Sequence, residues 1–336
     1  MVLKVQDVRH NSLNVNSVSS LHTEFLNPQH TCFNKNTLAG GFVEVDAFAK
    51  INLFLAVIGK REDGYHELVS VMQKIGLRDS LTIAKAQHNT SSRLVTLETN
   101  APNLPTNDTN LVVKAANLLI KKYGIASPLA IKLTKRIPMG AGLGGGSSDC
   151  AATLLGINQL FDLQIPLDKL MEMGAALGAD VPFCIMANGN NATALAQGIG
   201  ERLTPLPPHP KCCVVLACPK IHVATGEIFK MLTLRGEASI KVQAKLDSFI
   251  ASYNSKDIFR IANNFYNTFT PVTSKMHPQI STLISDLQNQ GAYNAEMTGT
   301  GSTVFAYFKN ENNAKMVCEI LKTKHSDTNF FITEIN

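Results

Sequence analysis

Between Ile137 and Ala152 the chain reads IPMGAGLGGGSSDCAA, with five glycines and two serines in sixteen residues. Glycine loses more conformational freedom on folding than any other residue. So dense a cluster suits a place where backbone must approach another group closely or turn through φ values that other residues avoid. A flexible linker would also be glycine-rich, but Ala151, Leu154 and Leu155 begin a helix directly afterwards. A glycine loop running into a helix brings free N–H groups and the positive end of the helix dipole to one point, the chemistry of an anion site. Two familiar phosphate loops fit poorly. The P-loop needs Gly-Lys-Ser/Thr, which the chain lacks. Gly140, Gly142 and Gly145 do match GxGxxG, yet the segment before them, LAIKLTKRI, alternates Lys132 and Thr134 with apolar residues. A dinucleotide-binding unit expects a continuously apolar parallel strand there. The reading that remains is a loop gripping a nucleoside triphosphate.

The bulk of the sequence agrees with a globular enzyme. At 336 residues, 45% hydrophobic and 17% charged, it can bury a large core and suggests about two domains. The net charge of +5 is mild and its lysines and arginines are scattered, so no nucleic acid partner is implied. Cys212, Cys213 and Cys218, in CCVVLAC, read as small buried hydrophobes, and no CxxC pair points to zinc or a disulfide framework. No apolar stretch reaches the roughly 18 residues that span a bilayer, so no membrane partner is expected. Residues 1–40 are rich in Asn, Ser and His without an apolar signal region. They are expected to form a disordered extension. A bacterial cytoplasmic location is expected, or a plastid if those residues are a presequence.

From Gly41 the texture changes. FVEVDAFAKINLFLAVIGK predicts one or two strands, and a turn at Asp63-Gly64 leads to further strand. Asp108 or Thr109 is expected to cap a helix carrying Leu111, Ala115, Leu118 and Leu119, closed by Gly124. A further helix is expected from about Pro166. The Pro-rich TPLPPHPK, beginning at Thr204, predicts a hinge between residues 41–204 and 205–336. Strands and helices mix without strict alternation, which favours the α+β class.

Three segments carry a family resemblance. PMGAGLGGGSSDCAA resembles the second motif of the GHMP small-molecule kinases, AFAKINLFL the first and TGTGSTVFAYF the third, in the same order. AKINLFLAVIGKREDGYHELVSVMQ, LGADVPF and QGIGERLTP are similar to the branch that phosphorylates the 2-hydroxyl of 4-diphosphocytidyl-2-C-methyl-D-erythritol in the non-mevalonate isoprenoid route. The resemblance implies a two-domain GHMP kinase fold, with an N-terminal ATP-binding domain and a C-terminal ferredoxin-like α/β sandwich. It implies ATP as co-substrate, Mg²⁺, a small cytidyl substrate, and a monomer or homodimer. Another alcohol, homoserine or mevalonate, is the alternative, and DGYHEL argues against it. A catalytically silent binding protein is opposed by the joint presence of Lys50, Asp180 and an intact loop.

The resemblance also assigns residues. Asp180, in a turn expected to be fixed by Val181-Pro182, takes the hydroxyl proton, and Lys50 lies beside it. Asn52, two residues along the strand from Lys50, faces the same side and donates to substrate or phosphate. Tyr65 and Phe229 sandwich the cytosine, His66 reads its edge and Thr225 contacts the substrate. Asn110 and Lys135 contact the adenosine part of ATP, while Pro138, Met139, Gly140, Ala141, Gly142, Leu143, Gly144, Gly145, Gly146, Ser147 and Ser148 cradle the nucleotide. Read from the sequence alone, Asn110 is equally a helix start and Lys135 an exposed strand charge. Asp149 stands where many family members have Asn, and an acid at a helix N-terminus can lie near Mg²⁺. The metal ligands are left unassigned.

Overall fold

The computed structural model describes residues 41–86, 94–189, 192–232 and 238–335. The expected N-terminal extension, residues 1–40, lies outside the described residues.

Two long strands organise the first half. β1 (Phe42–Lys60) and β2 (His66–Lys85) are rich in β-branched and apolar residues and pair antiparallel. The turn between them uses Gly64 at φ 88°, and Asp63 Oδ1 accepts from Tyr65 N at 3.1 Å. Ser80–Lys85 of β2 pairs with β4 (Leu129–Thr134), which runs parallel to β3 (Val95–Thr99). Leu68–Gln73 pairs with β5 (Thr193–Gly198), whose other edge carries β6 (Arg202–Pro205). The short β8 (Tyr266–Asn267), from the second half of the chain, pairs parallel with β1 and completes a seven-stranded sheet. Because β4 pairs antiparallel with β2, the strand leading into the glycine loop is not part of a dinucleotide-binding unit.

A β-bulge decides which way the first motif points. Val43 and Ala47 belong to the apolar cluster under the helices, whereas Ala49, Ile51 and Leu53 belong to the cluster shared with the second sheet. The odd-numbered residues change sides where the pairing register shifts, between Phe48 and Lys50. Lys50 and Asn52 are thereby turned toward the glycine loop.

Helix α1 (Leu111–Tyr123) is capped by Asn110 rather than by Asp108 or Thr109: Asn110 Oδ1 accepts from Val112 N at 2.8 Å. Gly124, at φ 63°, closes it as expected. Helix α2 begins already at Gly145 and runs to Leu160, so Ser147, Ser148 and Asp149 are helical and not part of the loop before Ala151. Small residues make this possible. A Cβ on Gly156 would come within 2.6 Å of Ile83 Cδ1, which shows how tightly α2 lies on the sheet. Helices α3 (Leu167–Ala175) and α4 (Val181–Asn188) pack beside it. Val181-Pro182, expected to fix the turn at Asp180, also opens a new helix, because a proline in the first turn removes an N–H that has no intrahelical partner anyway.

The second sheet has the order β11 (Thr328–Ile335), β7 (Cys212–Pro219), β10 (Val304–Phe308), β9 (Asn294–Met297), all neighbours antiparallel. Helices α5 (Thr225–Met231), α6 (Ala238–Asn254), α7 (Ile258–Asn263), α8 (Thr270–Met276) and α9 (Gln279–Asn289) intervene between β7 and β9, and α10 (Glu311–Lys324) between β10 and β11. This is the ferredoxin-like βαββαβ arrangement, and the chain is α+β. The Pro-rich connector is anchored: Leu206 and His209 are buried, and Tyr253 donates to Pro207 O at 2.7 Å.

Candidate active site

The glycine loop closes over the first motif. Lys50 N donates to Leu143 O at 3.0 Å, and the buried Ser148 hydroxyl donates to Phe48 O, fastening loop and α2 to β1 around the bulge. Gly140, Gly142 and Gly144 all have positive φ. Gly142 also needs its missing side chain, since a Cβ there would stand 2.4 Å from Thr298 O in the turn between β9 and β10. The result is a cavity of about 420 Å³ lined by Asn110, Lys135, Pro138, Met139 and the run from Gly140 to Ser147. Of the residues assigned to ATP, only Ser148 is absent from its lining.

At the loop's inner side Lys50, 5% exposed, places Nζ 3.3 Å from Asp180 Oδ2. Asp180 precedes the first residue of α4, and its carboxylate makes no cap hydrogen bond to that helix. The helix dipole favours its negative charge. Its side chain keeps 30% exposure, so it can reach an incoming group.

Asn52 departs from expectation. Its Oδ1 accepts from Lys50 Nζ at 2.9 Å, Gly299 N at 3.1 Å and Thr298 Oγ1 at 3.2 Å, while Nδ2 donates to Ser70 Oγ at 2.9 Å. At 2% exposure it ties the first motif to the third and orients Lys50. Asn267 supports that turn from β8, donating to Met297 O at 2.7 Å and Gly299 O at 2.8 Å.

Lys135 departs too. Its side chain is buried, not an exposed strand charge, with Nζ bonded to Asp79 and, at 2.8 Å, to Asp149 Oδ2. Burial opposes its charge, but Asp149 and Asp79 together hold Lys135 above the usual lysine value. Asp149 thus has one carboxylate oxygen, Oδ2, engaged by Lys135. Among the described residues no group of three or more His, Cys, Asp and Glu could hold a metal.

A second cavity, of about 590 Å³, is lined by Lys60, Gly64, His66, Gly226, Phe229 and Lys230. Of the four residues expected around cytosine or beside it, His66 and Phe229 line this cavity, while Tyr65 and Thr225 adjoin it in sequence. Tyr65 is 60% exposed. The His66 and Phe229 rings stand 4.8 Å apart, tilted by 39°, and Phe229 also meets Phe269 edge-on at 4.7 Å. Partial burial, with Lys60 nearby, lowers the His66 pKa and favours the neutral ring. Thr225 Oγ1 is 3.1 Å from Thr300 Oγ1, next to the third motif.

Comparison with known proteins gives this geometry a family. Residues 110–188 match the GHMP kinases N terminal domain and residues 252–327 the GHMP kinases C terminal family. The chain is 41% identical over 273 residues to the 4-diphosphocytidyl-2-C-methyl-D-erythritol kinase of Lachnoclostridium phytofermentans, covering 81% of this chain and 90% of that one. The chain belongs to the 4-diphosphocytidyl-2-C-methyl-D-erythritol kinase family. It is 39% identical to the kinase of that name from Acetivibrio thermocellus, over 87% of this chain and 98% of the relative. A crystal structure of 4-(cytidine 5'-diphospho)-2C-methyl-D-erythritol kinase superposes with a TM-score of 0.70 at 28% identity, over 87% of this chain and 98% of that one. The mevalonate kinase of L. major, at 11% identity, reaches the same TM-score over 89% and 98%, and shares the fold.

Several members of this kinase's site escaped the sequence reading: Asp79, Ser70, Asn267, Thr298 and Gly299. Asp79 carried a usable signal. It alternates with Leu77, Leu81 and Ile83 along β2, so period two places a carboxylate on an apolar face. Thr298 and Gly299 open the third motif, but nothing in it pointed to Asn52, and Ser70 and Asn267 carried no signal.

Proposed function

We propose that the chain transfers the γ-phosphoryl group of ATP to the 2-hydroxyl of 4-diphosphocytidyl-2-C-methyl-D-erythritol, with Asp180 as general base. The observation that carries this reading is the 3.3 Å contact of Lys50 Nζ with Asp180 Oδ2 beside a glycine loop. The names of the relatives support the choice of alcohol.

The triphosphate lies in the glycine loop, against its backbone N–H groups and the N-terminus of α2. The cytidine end of the alcohol occupies the His66–Phe229 cavity, with Tyr65 closing over the base. This leaves the hydroxyl beside Asp180. Asp180 accepts the hydroxyl proton as the oxygen bonds to phosphorus and the bond from phosphorus to the ADP oxygen breaks. Lys50, held by Asn52, places its ammonium against the negative charge that builds on the transferring group. Mg²⁺ bound with the triphosphate would neutralise phosphate charge, its ligands coming mainly from phosphate and water. The described residues offer no cage of three or more His, Cys, Asp or Glu for it.

Asp180→Asn tests the assignment. kcat should fall by about 10² to 10⁴-fold with ATP affinity nearly unchanged, because the proton is accepted only at the chemical step. Wild-type turnover would end the assignment.

A further inference from the structure

Asp79, Lys135 and Asp149 form a buried ionic cluster that the steps above leave unused. Asp79 lies on β2, Lys135 just after β4 and Asp149 in the first part of α2, so the cluster grips the glycine loop at both ends. Asp79 Oδ1 also accepts from Arg136 N and, at 2.8 Å, from Ile137 N. Two carboxylates face one ammonium, an excess of negative charge beside a cavity shaped for a polyanion. Asp149 lines that cavity and is 3% exposed, yet its Oδ1 has no hydrogen-bond partner. A buried carboxylate oxygen left unpaired is costly, and the cost falls if it carries a proton that it can donate.

We propose that Asp149 takes up a proton when the triphosphate enters the glycine loop, turning its unpaired oxygen from a repelling acceptor into a donor, while Asp79 and Lys135 hold the two ends of the loop. A phosphate oxygen, or a water bound to one, supplies the acceptor that Oδ1 lacks. The charged groups acting on Asp149 are Lys135 and Asp79: burial pushes its carboxyl up to about 7, Lys135 opposes the rise and Asp79 adds to it. Phosphate charge raises it further. The ATP complex then holds more protons than the free enzyme above pH 7, and affinity falls as pH rises.

The inference rests on the ATP reading, and one experiment separates the two. The full chain is titrated calorimetrically with ATP, without the alcohol, at pH 8 in two buffers of different ionisation enthalpy, and Kd is followed from pH 7 to 9. The expected result is a buffer-dependent heat showing proton uptake, with affinity falling by up to about tenfold per pH unit. Asp149→Asn should abolish both effects. ATP binding with buffer-independent heat and a flat Kd overturns the inference while leaving the kinase reading intact, and this wild-type result suffices if the variant does not fold. Uptake that persists in Asp149→Asn also overturns it, since the proton then sits elsewhere. No binding of ATP under any condition overturns the kinase reading, and the inference with it.

Discussion

Gly144 lies against the stem of Lys50: a Cβ on the glycine would come within 2.9 Å of Lys50 Cγ and 3.1 Å of Cε. In the proposed reaction the glycine loop therefore shapes the reacting centre as well as the nucleotide cavity. Gly144 also has φ +70°, which disfavours any side chain. Gly144→Val should leave the protein folded in a thermal melt but abolish ATP binding, and any residual turnover should be at least about 10²-fold below wild type because Lys50 is displaced. A variant that binds ATP and turns over normally would show that Lys50 tolerates the displacement.

Lys50 and Asp180 should act as a unit. Lys50→Ala and Asp180→Asn should each lower kcat strongly, and the double variant should lose much less than the product of the two losses. A full product, measured by single-turnover kinetics, would mean that they work independently.

The cytidine cavity makes a separate claim. Tyr65→Ala should raise KM for the cytidyl substrate by about 5 to 150-fold, the worth of stacking on one base, and Tyr65→Phe should change little. His66→Ala should weaken discrimination between cytosine and uracil substrates. Because partial burial lowers the His66 pKa, the ring stays neutral above that lowered value. KM for the cytidyl substrate should rise as pH falls through it, and this dependence should vanish in His66→Ala. An increase in KM for ATP alone would misplace the cavity.

His209 gives a prediction about stability. It is neutral and buried, with Nδ1 2.6 Å from Pro210 O and Nε2 accepting from Tyr307 at 3.2 Å. Burial lowers its pKa to about 4. Between pH 4 and 6.5 the unfolded chain binds the proton that the folded protein refuses, so stability is fully present above pH 6.5 and falls as the solution is acidified. The loss reaches about 3 kcal/mol by pH 4. Denaturant unfolding of His209→Gln should show a shallower acid dependence over that window. An unchanged slope would place the titrating group elsewhere.

The sequence made some of this legible and hid the rest for physical reasons. The glycine loop, the long first strands and the closing Gly124 announced themselves through local chemistry: positive φ, alternation and capping. Lys50 was legible through its motif, AFAKINLFL. Its orientation was not, because a register shift between two strands leaves no mark on composition. Asn52 was read correctly as sharing a face with Lys50, but it also accepts from Thr298 and Gly299, 246 and 247 residues away. Lys135 looked exposed because its strand alternates, and only the folded protein brings Asp79 and Asp149 to it. Val181-Pro182 indicated the turn at Asp180 but not the helix that follows, since proline forbids the middle of a helix and not its first turn.

The central claim, a kinase specific for the cytidyl alcohol, is tested most directly by ATP consumption across a panel holding 4-diphosphocytidyl-2-C-methyl-D-erythritol, homoserine and mevalonate. The account predicts that kcat/KM for the cytidyl alcohol exceeds the others by at least about 10³-fold, since neither competitor has a base to fill the His66–Phe229 cavity. Turnover of homoserine or mevalonate at a comparable rate would contradict it.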